Sequence, residues 1–364
     1  MRAWDETIHW AKAHERHLSA LFMAGGFAFD SWAFGRIDHA ATQAVFIVYL
    51  LMAGVAIAIL HALESRREGL DPASKIRAVL MFSTQFALGA LLSGFCVFYI
   101  RSASIVSSWP FLTFMAAIFI GNEYFRHYHS RLVFVALLLF FSIYSYAIML
   151  VPVLVGRIGP LPFLASGAAA VLVFFLYGKA LAGLGHDRYH GARMQIWAGM
   201  VVITLLFNAF YFFRVFPPLP LVLTDAGVYH QAKKQGDSYV VSEEAQPAAW
   251  RALFGTFPVM HIQPGAKIYL YSAVFAPTRL KASIQHRWEW RDPATGAWRQ
   301  QQARVFAING GRNDGYRAYT YRTAPKEGEW RVNINTSDGR AIGRVRFSVE
   351  WQAVPPAVTE KVLN

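Results

Sequence analysis

The chain has 364 residues, 55% of them hydrophobic and only 16% charged, with a formal net charge of +13. That apolar share is too high for an average soluble protein and fits one that lies partly in a membrane. One cysteine, Cys96, excludes an intrachain disulfide. The positive excess fits cytoplasmic loops of a membrane protein better than contacts to nucleic acid phosphates.

The N-terminal segment 1–17 is polar and mixed in charge, with Asp5, Glu6 and Glu15, so no cleaved secretory signal is expected. Apolar runs follow at 18–34, 40–63, 76–100, 105–124, 132–155, 161–181 and 194–216. All but the first approach the roughly 20 residues that a membrane-spanning helix needs. The first is short and carries Asp30 and the pair Gly25-Gly26. About seven transmembrane helices are therefore expected over 1–216, ending where Pro217, Pro218 and Pro220 forbid a continuing helix.

Lysine and arginine divide unequally among the loops. One set holds Arg66, Arg67, Lys75, Arg77, Arg126, Arg131, Lys179, Arg188 and Arg193; the other holds little beyond Arg36, Arg101, Arg157 and Arg214. The positive-inside rule places the first set and the N-terminus in the cytoplasm and the C-terminal part on the far side.

Polar residues within or beside spans mark helix contacts or function. Gln85 and Asn208 suit interhelical hydrogen bonds, and Lys179 suits an interfacial position. Glu123 and His127 are four apart, as are His186 and His190, and His129, His61 and Glu64 lie on the same expected membrane face. At helical spacing each pair shares a face, and imidazole with carboxylate suits zinc or iron. Glu123, His127, His129, His186 and His190 are thus the candidate ligands of an alternative metal-dependent membrane enzyme acting on lipid. Arg126, Arg131, Arg188 and Arg193 equally suit an anionic lipid headgroup.

The segment 217–264 reads as a linker with a short helix around 248–254, and 265–352 as a β domain followed by a tail, 353–364. Within the β domain the period becomes two. Ile284, His286, Trp288 and Trp290 alternate with Gln285, Arg287 and Glu289; Trp330, Val332 and Ile334 share one face, as do Val345, Phe347, Val349 and Trp351. Further strands are expected at 267–275, 304–308 and 317–323, separated by turns such as 292–296, Gly310-Gly311 and Asp338-Gly339. Six or seven short antiparallel strands of this kind predict an immunoglobulin-like β-sandwich. His286 alternates with tryptophans and is read as a core histidine.

The opposite strand faces are rich in arginine. Arg287, Arg291, Arg331, Arg344 and Arg346 are either a solvated sheet face or an anion-binding one. Arg312, Asp314 and Arg317, in the glycine-rich segment 309–317, form a candidate binding edge. Neither cofactor nor nucleic acid is expected.

Certain residues carry a family resemblance. His286-x-Trp288, Gly310-Gly311-Arg312-x-x-Gly315-Tyr316-Arg317, Gly328-x-Trp330-x-Val332, and Gly339 with Gly343 and Phe347 resemble domain-of-unknown-function family 2914. Phe82-Ser-Thr-Gln85 and Phe213-Arg-Val-Phe-Pro-Pro218 resemble the multi-span domain-of-unknown-function family 5924, which often precedes such a tail. The resemblance implies this architecture and a bacterial membrane location and supplies no activity; with the loop charges, an inner membrane and a periplasmic C-terminal domain are expected. The expected function is a non-catalytic envelope protein that binds a protein partner, an anionic glycan or a lipid. Transport or lipid flipping is a further alternative, against which stands the lack of a clear internal repeat.

Overall fold

The computed structural model describes residues 27–28, 30–31, 36–65, 75–102, 105–124, 132–244, 257–311 and 315–363. Two compact units result. The helical unit takes the described residues up to Ile100 with Pro110–Val151 and Pro160–Phe212; the β-rich unit takes Phe213 onward with Arg101–Trp109 and Pro152–Gly159.

The helices are α1 (Ala40–Glu64), α2 (Lys75–Ser102), α3 (Ile105–Tyr124), α4 (Leu132–Val155), α5 (Pro160–Leu184) and α6 (His186–Phe212). All except α3 are long and apolar enough to cross a membrane; α3 offers a shorter apolar stretch, Ser107–Ile120. The expected first span falls largely outside the described residues; of the other six anticipated, five are long and apolar enough among the described residues and α3 is the sixth. Gly156, with φ +68°, closes α4 in the left-handed region, and Pro160 opens α5.

Helix α4 is the most enclosed span and α6 the least. Tyr144 of α4 stacks on Phe207 of α6 at 4.6 Å, and Phe46 of α1 stacks on Phe95 of α2 at 5.1 Å. Polar groups are spent between helices. Tyr146 Oη donates to Gln43 Oε1 at 2.7 Å and Tyr177 Oη to the Gly54 carbonyl at 2.8 Å. Asn208 Nδ2 reaches Tyr144 Oη at 3.5 Å, the interhelical contact its type suggested.

The β-rich unit holds eleven strands among its described residues, in three sheets of order β1-β5-β8, β4-β10-β9-β6-β7 and β11-β3-β2. They are β1 (Val222–Tyr229), β2 (Gln231–Gln235), β3 (Ser238–Glu243), β4 (Val259–Ile262), β5 (Lys267–Phe275), β6 (Lys281–Arg291), β7 (Trp298–Asn309), β8 (Tyr316–Thr323), β9 (Gly328–Thr336), β10 (Ala341–Trp351) and β11 (Thr359–Leu363). Every strand anticipated from alternation is present, 267–275 with the same bounds and the others inside longer elements. The anticipated linker instead carries β1 to β4 and the anticipated tail carries β11; the expected helix at 248–254 lies outside the described residues. Strand β2 is Gln-Ala-Lys-Lys-Gln, whose exposed lysines suit a sheet edge and mask its period. Strand β4 pairs parallel with β10, against the expected all-antiparallel arrangement.

One core joins the first two sheets through Leu270 and Val274 of β5, Trp288 of β6, Trp330 and Val332 of β9, and Phe347 of β10. A second core joins Tyr271 and Ala273 of β5 to Tyr239 and Val241 of β3 and to Leu363 of β11. Strand β5 is therefore covered on both faces, which is why it is apolar nearly throughout. The glycine-rich segment borders this strand. A Cβ on Gly310 would stand 1.7 Å from the Pro277 carbonyl oxygen. Gly315, at φ +88°, would place one 2.8 Å from the Val274 carbonyl carbon. Only glycine permits that approach of backbone to backbone.

Candidate anion-binding site

The alternation of β6, β9 and β10 turns their apolar residues to the core and their arginines outward. Strand register then builds a block two residues long and three strands wide. Arg287 pairs with Asn333, and Asn333 with Arg344; Glu289 pairs with Arg331, and Arg331 with Arg346. Four arginines and one glutamate so share one sheet face.

That carboxylate is nearly enclosed, its side chain 8% exposed. Glu289 Oε2 accepts from Arg331 Nε at 2.5 Å and from Asn333 Nδ2 at 2.9 Å, while Oε1 lies 2.9 Å from Arg287 Nε. Asn333 turns its Oδ1 to Arg344, whose Nε donates at 2.6 Å. Burial, together with the cations of Arg331 and Arg346, pushes the Arg344 guanidinium down to about 10. The Arg331 guanidinium lies 4.2 Å from the centre of the Trp298 ring, and that of Arg346 lies 5.4 Å from the Phe257 ring.

The other sequence candidates go elsewhere. Arg291, at the end of β6, donates to Glu329 Oε2 at 2.9 Å and lines a cleft of about 460 Å³. Asp292, Glu327 and Glu329 also line that cleft, so it lacks the block's positive excess. Arg317, on β8, is buried and donates from Nη1 to the Asp237 carbonyl at 2.6 Å, tying β8 to the β2–β3 turn. Arg312 and Asp314 lie outside the described residues. The site thus gathers Arg287, Arg331, Arg344 and Arg346 and leaves Arg291 and Arg317 apart. Glu289, Asn333, Trp298 and Phe257 were not singled out; the first two share the arginines' alternating face, which was the available signal.

Of the candidate metal ligands, His127 and His129 lie outside the described residues, as do the side chains of Glu123 and His186. His186 and His190 open α6, one turn apart, where a loop was expected. Among the described residues no group of three or more His, Cys, Asp or Glu is arranged to hold a metal ion. His61 Nε2 instead donates to the Leu181 carbonyl at 3.0 Å, and Glu64 pairs with Arg77 and Arg188.

His286 is 0% exposed on the core side of β6. Its Nε2 meets Ser272 Oγ at 2.8 Å and its Nδ1 meets Thr320 Oγ1 at 3.0 Å, so a neutral ring satisfies both nitrogens. Burial pushes it from 6.5 down to about 3. The unfolded chain therefore takes up the proton first. The stability from this neutral ring is whole above pH 6.5 and drains as pH falls from there toward about 3. The slope is up to about 1.4 kcal/mol per pH unit. Denaturation of the full-length protein between pH 7 and pH 4 is expected to show this acid-side loss, with a shallower pH slope in His286→Gln; an unchanged slope would remove His286 as its source.

Fold and site define a multi-pass membrane protein with a β-rich C-terminal unit that presents a cationic sheet face. Residues 281–349, which include the whole block, match the family described as "Protein of unknown function (DUF2914)". No curated protein matches the chain. Among solved structures, a β-glucosidase from Listeria innocua aligns over 34% of this chain at 10% identity and a TM-score of 0.20. The alkylpurine DNA glycosylase AlkC from Pseudomonas fluorescens aligns over 85% of this chain and 99% of its own, at 10% identity and a TM-score of 0.22. The chain spans only 17% of the β-glucosidase, and neither likeness amounts to a shared fold.

Proposed function

We propose that this is a non-catalytic envelope protein of a bacterial inner membrane whose β-rich unit faces the periplasm and binds an anionic ligand through Arg287, Arg331, Arg344 and Arg346. The observation that carries this reading is the block itself, four guanidiniums sharing a single sheet face with one carboxylate that pairs with only two of them. Such an excess draws anions by its field and holds them by charge-assisted hydrogen bonds. The lysine and arginine of the loops support the orientation. The core shared by the sheets β1-β5-β8 and β4-β10-β9-β6-β7 supports an immunoglobulin-like sandwich, to which β11-β3-β2 adds a third layer. The membrane unit is assigned by resemblance to family 5924.

The test uses the full-length protein in zwitterionic nanodiscs with dextran sulfate as a soluble polyanion and neutral dextran as control. Dextran sulfate alone is expected to bind, more weakly as salt rises. The triple variant Arg287→Gln, Arg344→Gln, Arg346→Gln is expected to lose about tenfold or more in affinity while remaining folded by circular dichroism. Equal affinity in the triple variant, or no binding by the unaltered protein, would overturn the reading.

A further inference from the structure

Within the block the charges are unevenly matched. Both oxygens of Glu289 are engaged on the β6 side, by Arg287, Arg331 and Asn333. Among the described residues no carboxylate stands within ion-pair distance of Arg344 or Arg346. Arg331 and Arg346 lie directly opposite each other across β9 and β10. Like charges in that position oppose folding. Arg344 adds a third cation on the same face, two residues along β10 and so roughly 7 Å away.

Each of the three is held from one side. Arg331 is fixed by Glu289 and lies over Trp298; Arg344 is fixed at Nε by Asn333; Arg346 lies over Phe257. Rings and a neutral amide position the guanidiniums without cancelling the charge of Arg344 and Arg346. A carboxylate offers two oxygens in one plane and matches a single guanidinium fork. A phosphate group offers three acceptor oxygens in three dimensions and a charge of about −1.5 to −2, which suits three forks from two strands.

We infer that Arg331, Arg344 and Arg346 form a tripod for one tetrahedral phosphate group, whether free phosphate or the phosphate of a lipid headgroup. This rests on the anion-binding reading above and narrows it to one chemical class. Occupation relieves the opposition of Arg331 and Arg346, so ligand binding and stability of the β-rich unit are linked.

The experiment measures the thermal midpoint of the full-length protein in zwitterionic nanodiscs, with inorganic phosphate, acetate or chloride at matched ionic strength. Phosphate is expected to raise the midpoint and acetate to match chloride. The double variant Arg344→Gln, Arg346→Gln is expected to lose the phosphate response, while its midpoint without phosphate is unchanged or higher because like charges have been removed. Nanodiscs containing phosphatidic acid separate the two sources: a raised midpoint that free phosphate no longer changes assigns the site to a headgroup, and a persisting phosphate response assigns it to the soluble ion. Equal midpoints in phosphate and chloride, or an unaltered phosphate response in the double variant, would overturn the tripod. If dextran sulfate binds through the block and phosphate does not, the tripod fails and the wider reading stands; if neither binds, both fail.

Discussion

Trp288→Ala is expected to cost the β-rich unit about 3–5 kcal/mol, the usual penalty for deleting a large aromatic side chain from a closed core. Trp288 is wholly buried between two sheets, with its ring edge-on to Phe347 at 6.2 Å. Its Nε1 donates to Thr320 Oγ1 at 3.1 Å, on β8 of the facing sheet. The loss combines transfer energy, an unfilled volume and a severed link between sheets. The same Thr320 hydroxyl meets His286, so the defect spreads to the neighbouring polar network. Chemical denaturation of the full-length protein in detergent, followed by near-ultraviolet circular dichroism, measures the effect. Trp351→Ala is the control: that residue is 48% exposed, and a change of about 1 kcal/mol or less is expected. Equal penalties at the two sites would mean that the sheets do not close over Trp288.

Glu289→Gln is expected to have the next largest effect, about 2–3 kcal/mol. Removing one partner from a buried ion pair costs roughly 3–5 kcal/mol. The lower value allows for Arg287, whose side chain is 38% exposed and regains water, against 17% for Arg331. The variant leaves four like charges on one sheet face. Its deficit should shrink as salt rises and screens them, and adding Arg331→Gln should restore part of the lost stability. A second substitution that deepens the deficit would show that Glu289 matters for packing instead of charge.

Several of these features were readable before any coordinates. Apolar runs near 20 residues marked the spans, because backbone in a bilayer must satisfy its own hydrogen bonds as a helix. Period-two alternation separated Trp288, Val332 and Phe347 from Arg287, Arg331 and Arg346, because successive side chains on a strand point to opposite faces. His286 was legible as a core residue on the same ground. Strands β2 and β4 were not: the first is polar except for Ala232, and the second is too short to display a period. Nor was the start of α6, where one residue, Gly185, separates it from α5 and a charged opening resembles a loop.

By itself the sequence determined the helical and β-rich halves, the two faces of β6, β9 and β10, and the surplus of arginine on one of them. These are local properties, set by side-chain type and spacing along the chain. Only the tertiary structure decided which arginines meet. Register places Arg331 opposite Arg346 and beside Glu289, whereas Arg291 turns to Glu329 and Arg317 joins a different sheet. Pairing between strands depends on which sheet each enters and in what alignment, and residues far apart in the chain settle that jointly through the cores they bury together.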